Sequence, residues 1–463
     1  MRRAARAAGS VAVLALVASL LSTGVAAASL TPYPSDATYI ATLSTGTKGH
    51  SWAGNLEITF TNSGPSPMST AYLRLWPNGL FGCSGANGQA IKVSGITGAT
   101  DHGYEPGLRC SAVRIEIDPP VAVDADATIT MDVSVDLPNR NDRFGWWQET
   151  AFAGTAMPVL AAADQDGWHL DPYTDAGESY YAPIADYEVA YETPKALKVA
   201  SAGVLDSSTP LGDGRVRRVF HGEDLRDFAW AAAPFRKVAG VDALGTTVRV
   251  WYPNTGSRSV AEGMLANTIR SMDLFAAAFG EYPAQWEEID VVRSSYTTFG
   301  GMEFPSIVFT NPGSGIVAHE VGHQWWMGIV GNDSYRAPFL DEGFAEWAAL
   351  YVVNRPAAKN PSWCTPLNWP RADTRLTNGM DYWDEFGHYG LVYTYGSCAL
   401  SDLAQRLGMA RFKALLQGYV GDHYLTPMTD TGDFMAAVED AAVEVPTFQP
   451  SDYFERWRIG PEA

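Results

Sequence analysis

The sequence predicts an α+β protein in which an N-terminal antiparallel β domain, a sandwich or saddle, precedes a mainly helical domain. In residues 29–237, apolar side chains alternate with polar ones, as they do in strands with one buried face. In residues 238–463, apolar side chains recur every three or four positions, as they do in helices with one buried side. With 463 residues, 46% of them hydrophobic, the chain has enough apolar material for large cores in both parts.

Residues 1–28 have the pattern of a cleavable signal peptide. A positive charge at Arg2 precedes an apolar run over residues 11–21, and a small-residue cleavage site ends at Ala28, before Ser29. A membrane anchor is the alternative, but this run is shorter than the roughly 20 residues that cross a bilayer as a helix. We therefore expect a secreted, extracellular protein that begins at Ser29 after cleavage.

The first domain is predicted from strands that have one buried face. Three alternating runs are clearest, and their apolar members are Leu56, Ile58 and Phe60, then Val113, Ile115 and Ile117, then Ile129, Met131, Val133 and Val135. Turn-forming clusters such as residues 62–65 separate these runs. Short strands at this density favour an antiparallel architecture.

The second domain is predicted to begin near residue 237. A strand-like run over residues 248–252 opens it. Helical spacing follows over residues 265–279, with Gly280 as a candidate C-cap, and appears again over residues 409–419. The predicted domains are therefore residues 29–237 and residues 238–463.

The four cysteines favour two disulfides, because an even number in an exported protein is typical of disulfide bonding. Of the three possible pairings we favour Cys83–Cys110 and Cys364–Cys398, since each pair is close in sequence and lies within one predicted domain. A zinc site made of cysteines is the alternative, but no CxxC spacing supports it.

The chain is acidic, with a formal net charge of −20. Phosphate binding needs a basic surface, so this charge excludes a nucleic-acid partner. Anionic membrane surfaces are disfavoured for the same reason, and we expect no membrane partner after signal cleavage. The sequence does not indicate an oligomeric state.

The most informative motif is His319-Glu320-Val321-Gly322-His323, which lies in an apolar stretch over residues 315–331 that we predict to be one buried helix. Side chains four positions apart lie on one face of a helix, so the two imidazoles can reach one zinc ion. Glu320 lies beside them and can act on a water at that ion. Two packed histidines without a metal are the alternative.

Glu342 is the candidate third ligand, because a catalytic zinc site has three protein ligands and an open position. Eighteen residues separate it from His323, which is enough for the chain to turn and run a second helix past the first. Asp341 and Glu346 flank it, and we expect them to support the site rather than bind the metal. The second helix is predicted from the spacing of Leu340, Phe344, Trp347 and Tyr351.

These motifs resemble those of the aminopeptidase-N-type zinc metallopeptidases, which are gluzincins with the pattern HExxH, 18 residues, Glu. Gly300-Gly301-Met302-Glu303 is similar to their G-x-M-E-N segment, with Phe304 in place of Asn. Residues 392–396, Val-Tyr-Thr-Tyr-Gly, resemble their V-Y-E-K-G segment. The resemblance implies a thermolysin-like catalytic domain. It also implies a short secreted bacterial form that lacks the large helical C-terminal domain of longer members.

The resemblance implies a role for each residue of the metal site. His319, His323 and Glu342 would bind one Zn²⁺ ion, which would polarise a water and the scissile carbonyl. Glu320 would take the proton of that water and pass it to the leaving amine. Tyr393 would donate a hydrogen bond to the oxyanion.

The resemblance also implies how the substrate is held. Glu303 would pair with the free α-ammonium of a peptide and so fix cleavage one residue from its end. Gly300 and Gly301 lack side chains, so the backbone there, with Met302, could lie close to a substrate strand. The implied partners are peptides with a free N-terminus.

Two further assignments are open. Tyr393 competes with Tyr389 and Tyr395, because an aromatic residue at helical spacing is more often part of a core than a catalyst. Gln148 or Glu149 is a loose match to a second amine-binding position of the family, and a solvated polar pair is the alternative.

The sequence therefore predicts a secreted zinc aminopeptidase that hydrolyses N-terminal residues from peptides. A secreted zinc endopeptidase that uses the same metal chemistry is the first alternative. A catalytically silent binding protein with a vestigial site is the second, and the complete set of candidate catalytic residues disfavours it.

Overall fold

A computed structural model describes residues 32–85, 88–354, 364–365, 367–425 and 428–461. The predicted signal peptide over residues 1–28 lies outside these described residues. Within them, no helix is both long enough and apolar enough to cross a membrane.

The N-terminal part is built from strands and one short helix, α1 (Trp76–Phe81). In chain order the strands are β1 (Ser35–Thr45), β2 (Ser51–Thr61), β3 (Met68–Arg74), β4 (Ile91–Thr97), β5 (Asp101–Tyr104), β6 (Ala112–Val121), β7 (Asp126–Asp136), β8 (Phe144–Trp147), β9 (Thr150–Ala153), β10 (Val159–Leu160), β11 (Ala163–Asp164), β12 (Gly167–Trp168), β13 (Ala185–Pro194), β14 (Lys198–Ser201), β15 (Val204–Pro210), β16 (Arg215–Leu225) and β17 (Trp230–Ala233).

These strands form packed sheets, as the alternating pattern predicts. The largest has the order β15-β16-β13-β1-β2-β7-β4, and two four-stranded sheets have the orders β10-β3-β6-β5 and β14-β17-β9-β8. The pairs are antiparallel except for β1 and β13, which run parallel. In β2 the apolar Leu56, Ile58 and Phe60 are buried while Glu57 is exposed, which confirms the predicted alternation.

The second part combines one sheet with helices. Its elements are β18 (Arg236–Val241), β19 (Thr247–Tyr252), α2 (Arg258–Phe279), β20 (Glu288–Arg293), β21 (Gly301–Phe304), β22 (Ile307–Thr310), α3 (Ser314–Gly322), α4 (Phe344–Trp347), α5 (Met380–Phe386), α6 (Gly390–Leu407), α7 (Met409–Asp422), α8 (Thr431–Ala442) and α9 (Pro450–Trp457). The sheet order is β18-β19-β20-β22-β21, so β21 is an edge strand.

The helices predicted from periodicity are present. Residues 265–279 lie in α2, and residues 409–419 lie in α7. Gly280 ends α2 with a φ of 122°, and its N–H donates to the carbonyl of Ala276. These matches follow because both helices bury an apolar side against the same core.

The helix that carries His319 is shorter than predicted, because α3 ends at Gly322 rather than near Gly331. Beyond Gly322 the amides of residues 328–330 bond to carbonyls five residues earlier, and Met327 has a φ of 137°. The apolar sequence does not reveal this irregular turn, because its side chains are as buried there as they would be in a helix.

Residues 339–354 form one helical run, which we call the Glu342 helix. It consists of π-helical turns over Phe339–Gly343, then α4, then π-helical turns over Ala348–Asn354. The second helix predicted around Glu342 is therefore confirmed. The four residues whose spacing predicted it are all buried: Leu340, Phe344, Trp347 and Tyr351.

Two disulfides and a shared core hold the molecule together. Cys83 pairs with Cys110 and Cys364 with Cys398, at Cα–Cα distances of 5.4 and 5.6 Å, as predicted. One continuous cluster of buried apolar residues runs through both parts of the chain. The domain boundary near residue 237 stays a prediction, and β18 lies at that position.

Candidate active site

Three predicted ligands converge at the centre of the second domain. Nε2 of His319 lies 3.1 Å from Nε2 of His323 and 3.0 Å from Oε2 of Glu342. Nε2 of His323 lies 3.4 Å from the same Glu342 oxygen. The end of α3 supplies the histidines, and the Glu342 helix crosses that end to supply the carboxylate.

This geometry fits a tetrahedral metal ion. Ligand atoms about 2.0–2.1 Å from one zinc ion lie about 3.3 Å from one another, which is close to the separations in this site. Two imidazoles and one carboxylate are also the donor set of hydrolytic zinc sites with an open position. His319, His323 and Glu342 are therefore suited to hold a divalent cation.

A carboxylate lies beside Nδ1 of each imidazole and orients the ring. Nδ1 of His323 is 2.6 Å from Oδ1 of Asp341, whose other oxygen accepts a hydrogen bond from Ser334 at 3.0 Å. Nδ1 of His319 is 3.1 Å from Oε2 of Glu346. Such partners leave Nε2 of each ring directed at the metal position. Asp341 and Glu346 thus lie where residues that support the metal ligands would lie, and their supporting role stays a prediction.

The site attracts positive charge. Burial opposes the charge of His319, but hydrogen bonding to Glu342 and the nearby Glu346 raises its pKa to about 10. Burial also opposes the charge of Glu342, yet both imidazoles hold its pKa well below the ordinary value. A divalent cation would take the place of the protons that these imidazoles otherwise bind.

Glu320 lies on α3 against the edge strand β21. Its side chain is buried, and a Cβ added at Gly301 would lie 2.4 Å from its Oε1. A side chain at position 301 would therefore overlap Glu320. The sequence alone did not show this reason for a glycine here. Burial raises the pKa of Glu320 to about 7, although His319 and His323 oppose the rise.

Glu303, His319 and Glu342 line one cavity of about 630 Å³. The Glu303 side chain is 2% exposed, and its Oε1 has no hydrogen-bond partner within the described part of the chain. Burial raises its pKa well above the ordinary value, His323 opposes this, and the Glu178 carboxylate adds to it. A cation placed beside this carboxylate would favour its charged form and so oppose the effects of burial and of Glu178.

The three candidate tyrosines have different surroundings. Tyr393, on α6, lines the cavity and donates a hydrogen bond to Oε1 of Glu342 at 2.5 Å. Burial and Glu342 raise its pKa well above the ordinary value, so it is a protonated donor. The Tyr395 hydroxyl instead accepts a bond from the amide of Asn368. Tyr389 packs edge-on against Tyr393, and its hydroxyl is buried.

The remaining motif positions either line the cavity or pack against the β domain. Gly300 and Met302 line the cavity with Gly301. Phe304, which replaces the family's Asn, is 1% exposed and packs on Phe309 at a centroid distance of 5.2 Å. Its ring also contacts Gly154 of the β domain, where an added Cβ would lie 2.4 Å from Cζ.

Gln148 and Glu149 are not among the residues that line the cavity. Both are exposed, and Glu149 accepts a hydrogen bond from Thr255 at 3.4 Å. The β domain contributes Glu178 instead, which is buried, lines the cavity and pairs with Arg143. Burial and Glu342 raise the pKa of Glu178 well above its ordinary value, while Arg143 lowers it.

Neither Glu178 nor Arg143 was identified from the sequence. Glu178 lies in a segment without strand or helix periodicity, between β12 and β13, and belongs to no recognisable motif. Its approach to the metal site depends on how the two domains pack, which a single sequence does not encode in a readable pattern.

Comparisons with known proteins agree with this architecture. Residues 312–457 match the family model described as the Peptidase family M1 domain. Aminopeptidase M1-B of Oryza sativa subsp. japonica is 25% identical over 442 residues, which cover 82% of this chain and 48% of the relative. Leucine aminopeptidase 2 of Yarrowia lipolytica is 25% identical over 190 residues, covering 34% of this chain and 29% of that protein. The chain thus spans about half the length of the rice relative.

Solved structures show the same fold across the chain. An M1 zinc metallopeptidase from Deinococcus radiodurans superimposes with a TM-score of 0.64 at 16% identity, covering 94% of both chains. A mutant of that metallopeptidase has been solved with a Tyr-Ser-Ala substrate bound, again with a TM-score of 0.64. Residues 312–457 are thus similar to the M1 peptidase domain, and the chain has the same fold as the M1 zinc metallopeptidases.

Proposed function

We propose that this chain is a zinc aminopeptidase that removes N-terminal residues from peptides. The observation that carries the proposal is the position of Glu303 beside the metal ligands. One of its carboxylate oxygens lies within 4.8 Å of a ring nitrogen of His323, and Glu303 lines the same cavity as His319 and Glu342. The α-nitrogen of a peptide is only about 2.5 Å from the carbonyl carbon of the first residue. A peptide whose ammonium meets Glu303 therefore presents its first peptide bond to the metal position.

The charge of the cavity supports the same substrate class. Glu303 and Glu178 are both buried there, and Arg143 forms its ion pair with Glu178. An ammonium group that enters the cavity therefore meets the Glu303 carboxylate, which is not paired with Arg143, and the Glu178 carboxylate nearby. The relatives and the solved structures that resemble this chain are named as aminopeptidases and zinc metallopeptidases, which supports the proposal.

The residues of the chain divide the chemistry among them. A zinc ion held by His319, His323 and Glu342 would supply Lewis-acid polarisation of the carbonyl and a lower pKa for water. Glu320 accepts the proton of the attacking water and delivers it to the leaving amine. Tyr393 is within reach of the same position as a hydrogen-bond donor to the developing oxyanion.

The test compares a free aminoacyl-anilide with its N-acetylated form. The wild-type protein should hydrolyse the first and leave the second nearly untouched. Glu303→Gln keeps the size of the side chain but removes its charge, so kcat/KM for the free substrate should fall about 10- to 100-fold, the value of a charged hydrogen bond. A rate that does not depend on acetylation would instead support the endopeptidase alternative. A protein that binds zinc but hydrolyses neither substrate would support the silent binding protein.

We also propose that the protein is exported and loses residues 1–28. The two disulfides support this, because such bonds persist in oxidising compartments. N-terminal sequencing of protein from the culture medium should begin at Ser29, and an intact N-terminus on intracellular protein would contradict export.

A further inference from the structure

Arg143 connects three segments around the amine end of the cavity. It precedes β8 in the β domain, and its side chain is 8% exposed. Nη1 donates to Oε1 of Glu178 at 3.1 Å and lies 3.1 Å from Sδ of Met302. Nη2 donates to the carbonyl of Gly177 at 3.1 Å. One guanidinium therefore contacts both the loop that bears Glu178 and the strand that bears Glu303.

The backbone of Arg143 is itself fixed. Its amide donates to Oδ1 of Asp142 at 2.7 Å, and its carbonyl accepts from the amide of Gly154 at 2.9 Å. The guanidinium also lies over the ring of Tyr173 at 5.9 Å. Because its main chain and its side chain are both fixed, Arg143 couples the position of the β domain to the positions of Glu178 and Met302 at the cavity.

The geometry favours arginine over any other cation at this position. A guanidinium presents several N–H groups in a rigid plane, whereas an ammonium is a single point of charge on a flexible stem. A lysine would have to make with one nitrogen the contacts to Glu178, Gly177 and Met302 that arginine divides between Nη1 and Nη2. The arrangement is thus more specific than a salt bridge that only neutralises charge.

We propose that Arg143 is a positioning residue for recognition of the substrate amine, which holds Glu178 and the Glu303 strand at a fixed separation. This inference rests on the proposed aminopeptidase function. Arg143 does not act on the reacting atoms. It sets the distance between two carboxylates that come from different domains and that an ammonium group meets together.

The experiment measures inhibition by two hydroxamates, leucine hydroxamate and its N-acetyl form. Both should bind the metal, and only the first has a free amine. Because an inhibition constant does not depend on the fraction of folded enzyme, partial unfolding cannot imitate the effect. In Arg143→Met, Ki for the free-amine compound should rise about 10- to 100-fold, as small misplacements can produce. Ki for the acetylated compound should stay within about threefold of wild type, because the metal contacts remain.

Two further variants test how the effect arises. Arg143→Lys should give an intermediate Ki, because it keeps the charge but not the bridging contacts. Glu178→Gln should weaken binding of the free-amine compound. Adding Arg143→Met to it should cause little further loss of affinity, since the two residues act through the same ion pair. If Arg143→Met does not fold, Arg143→Lys and Glu178→Gln still decide the question. Arg218→Met is the control, because it removes a half-buried arginine of β16 that does not line the cavity.

The outcomes separate this inference from the proposed function. Equal losses of affinity for both hydroxamates, a wild-type Ki for the free-amine compound in Arg143→Lys, or additive losses in the double variant would overturn the positioning role. In those cases wild-type discrimination between the two hydroxamates would still stand. If the wild-type protein itself bound both compounds equally, amine recognition and the proposed function would fail together.

Discussion

Glu342 is the residue on which the site depends most. One carboxylate oxygen faces both imidazoles, at 3.0 and 3.4 Å, and the other accepts the Tyr393 hydroxyl at 2.5 Å. The imidazoles keep this carboxylate charged despite its burial. A single side chain therefore links the metal position to the proposed oxyanion donor.

Glu320→Gln separates metal binding from catalysis. The amide keeps the size of the side chain but cannot accept a proton, so kcat should fall about 10²- to 10⁴-fold, the usual contribution of a general base. Zinc content, measured by atomic emission, should stay at the wild-type level because Glu320 is not a ligand. Loss of zinc from this variant would contradict the assigned role.

Gly301→Ala tests the close contact between β21 and the general base. The added methyl group would overlap the Glu320 carboxylate, so Glu320 must move and kcat should fall while zinc content stays the same. Gly263→Ala is the matched control, since a Cβ there has nothing within 4 Å on the exposed side of α2. Equal activity of the two variants would show that Glu320 tolerates displacement.

At the scale of elements, the Glu342 helix and α6 approach each other through two glycines. A Cβ added at Gly396 would lie only 2.7 Å from Cα of Gly343. This contact brings the backbone next to Glu342 close to the helix that carries Tyr393. The hydrogen bond between those two side chains depends on that approach.

Gly396→Ala should separate the two helices. Overpacking of this kind costs about 1–3 kcal/mol, so the free energy of unfolding in urea should fall by that amount. Activity should fall as well, because Tyr393 moves away from Glu342. Gly418→Ala in α7 adds a methyl group with nothing within 4 Å and should retain both stability and activity. Unchanged stability of Gly396→Ala would contradict the close packing.

The sequence could predict those parts of the site that follow from helix geometry. His319 and His323 share a face because they are four positions apart, and the Glu342 helix follows from its apolar spacing. The end of α3 could not be predicted, because the buried turn beyond Gly322 has the same apolar composition as a helix. Glu178 could not be predicted either, because only the packing of two domains brings it to the cavity.

At the scale of the whole molecule, a buried histidine joins the two predicted domains. His169 lies 2.7 Å from Asp164 of β11 and 3.1 Å from Asp333 of the catalytic part. Tyr181 also donates to Asp164, and Arg336 lies 3.6 Å from Asp333. Burial opposes the charge of His169, but the hydrogen bonds to Asp333 and Asp164 outweigh it and raise its pKa.

This junction should make stability depend on pH. Because the pKa of His169 is raised by folding, its charged form contributes fully below about pH 6.5, the value for an unfolded histidine, and the contribution disappears as pH rises through the folded pKa. Urea unfolding should therefore show that the advantage of wild type over His169→Gln shrinks as pH rises above about 6.5. A constant difference between the two proteins across this range would exclude a charged His169 at the junction.

Every role proposed for the site requires that the imidazoles of His319 and His323 and the Glu342 carboxylate bind one divalent ion. Anomalous scattering at the zinc edge, from crystals of the purified protein, tests it most directly. We expect a single strong peak bonded to Nε2 of His319, Nε2 of His323 and the Glu342 carboxylate. No peak at that position, or a peak only beside His169 and Asp333, would contradict this expectation.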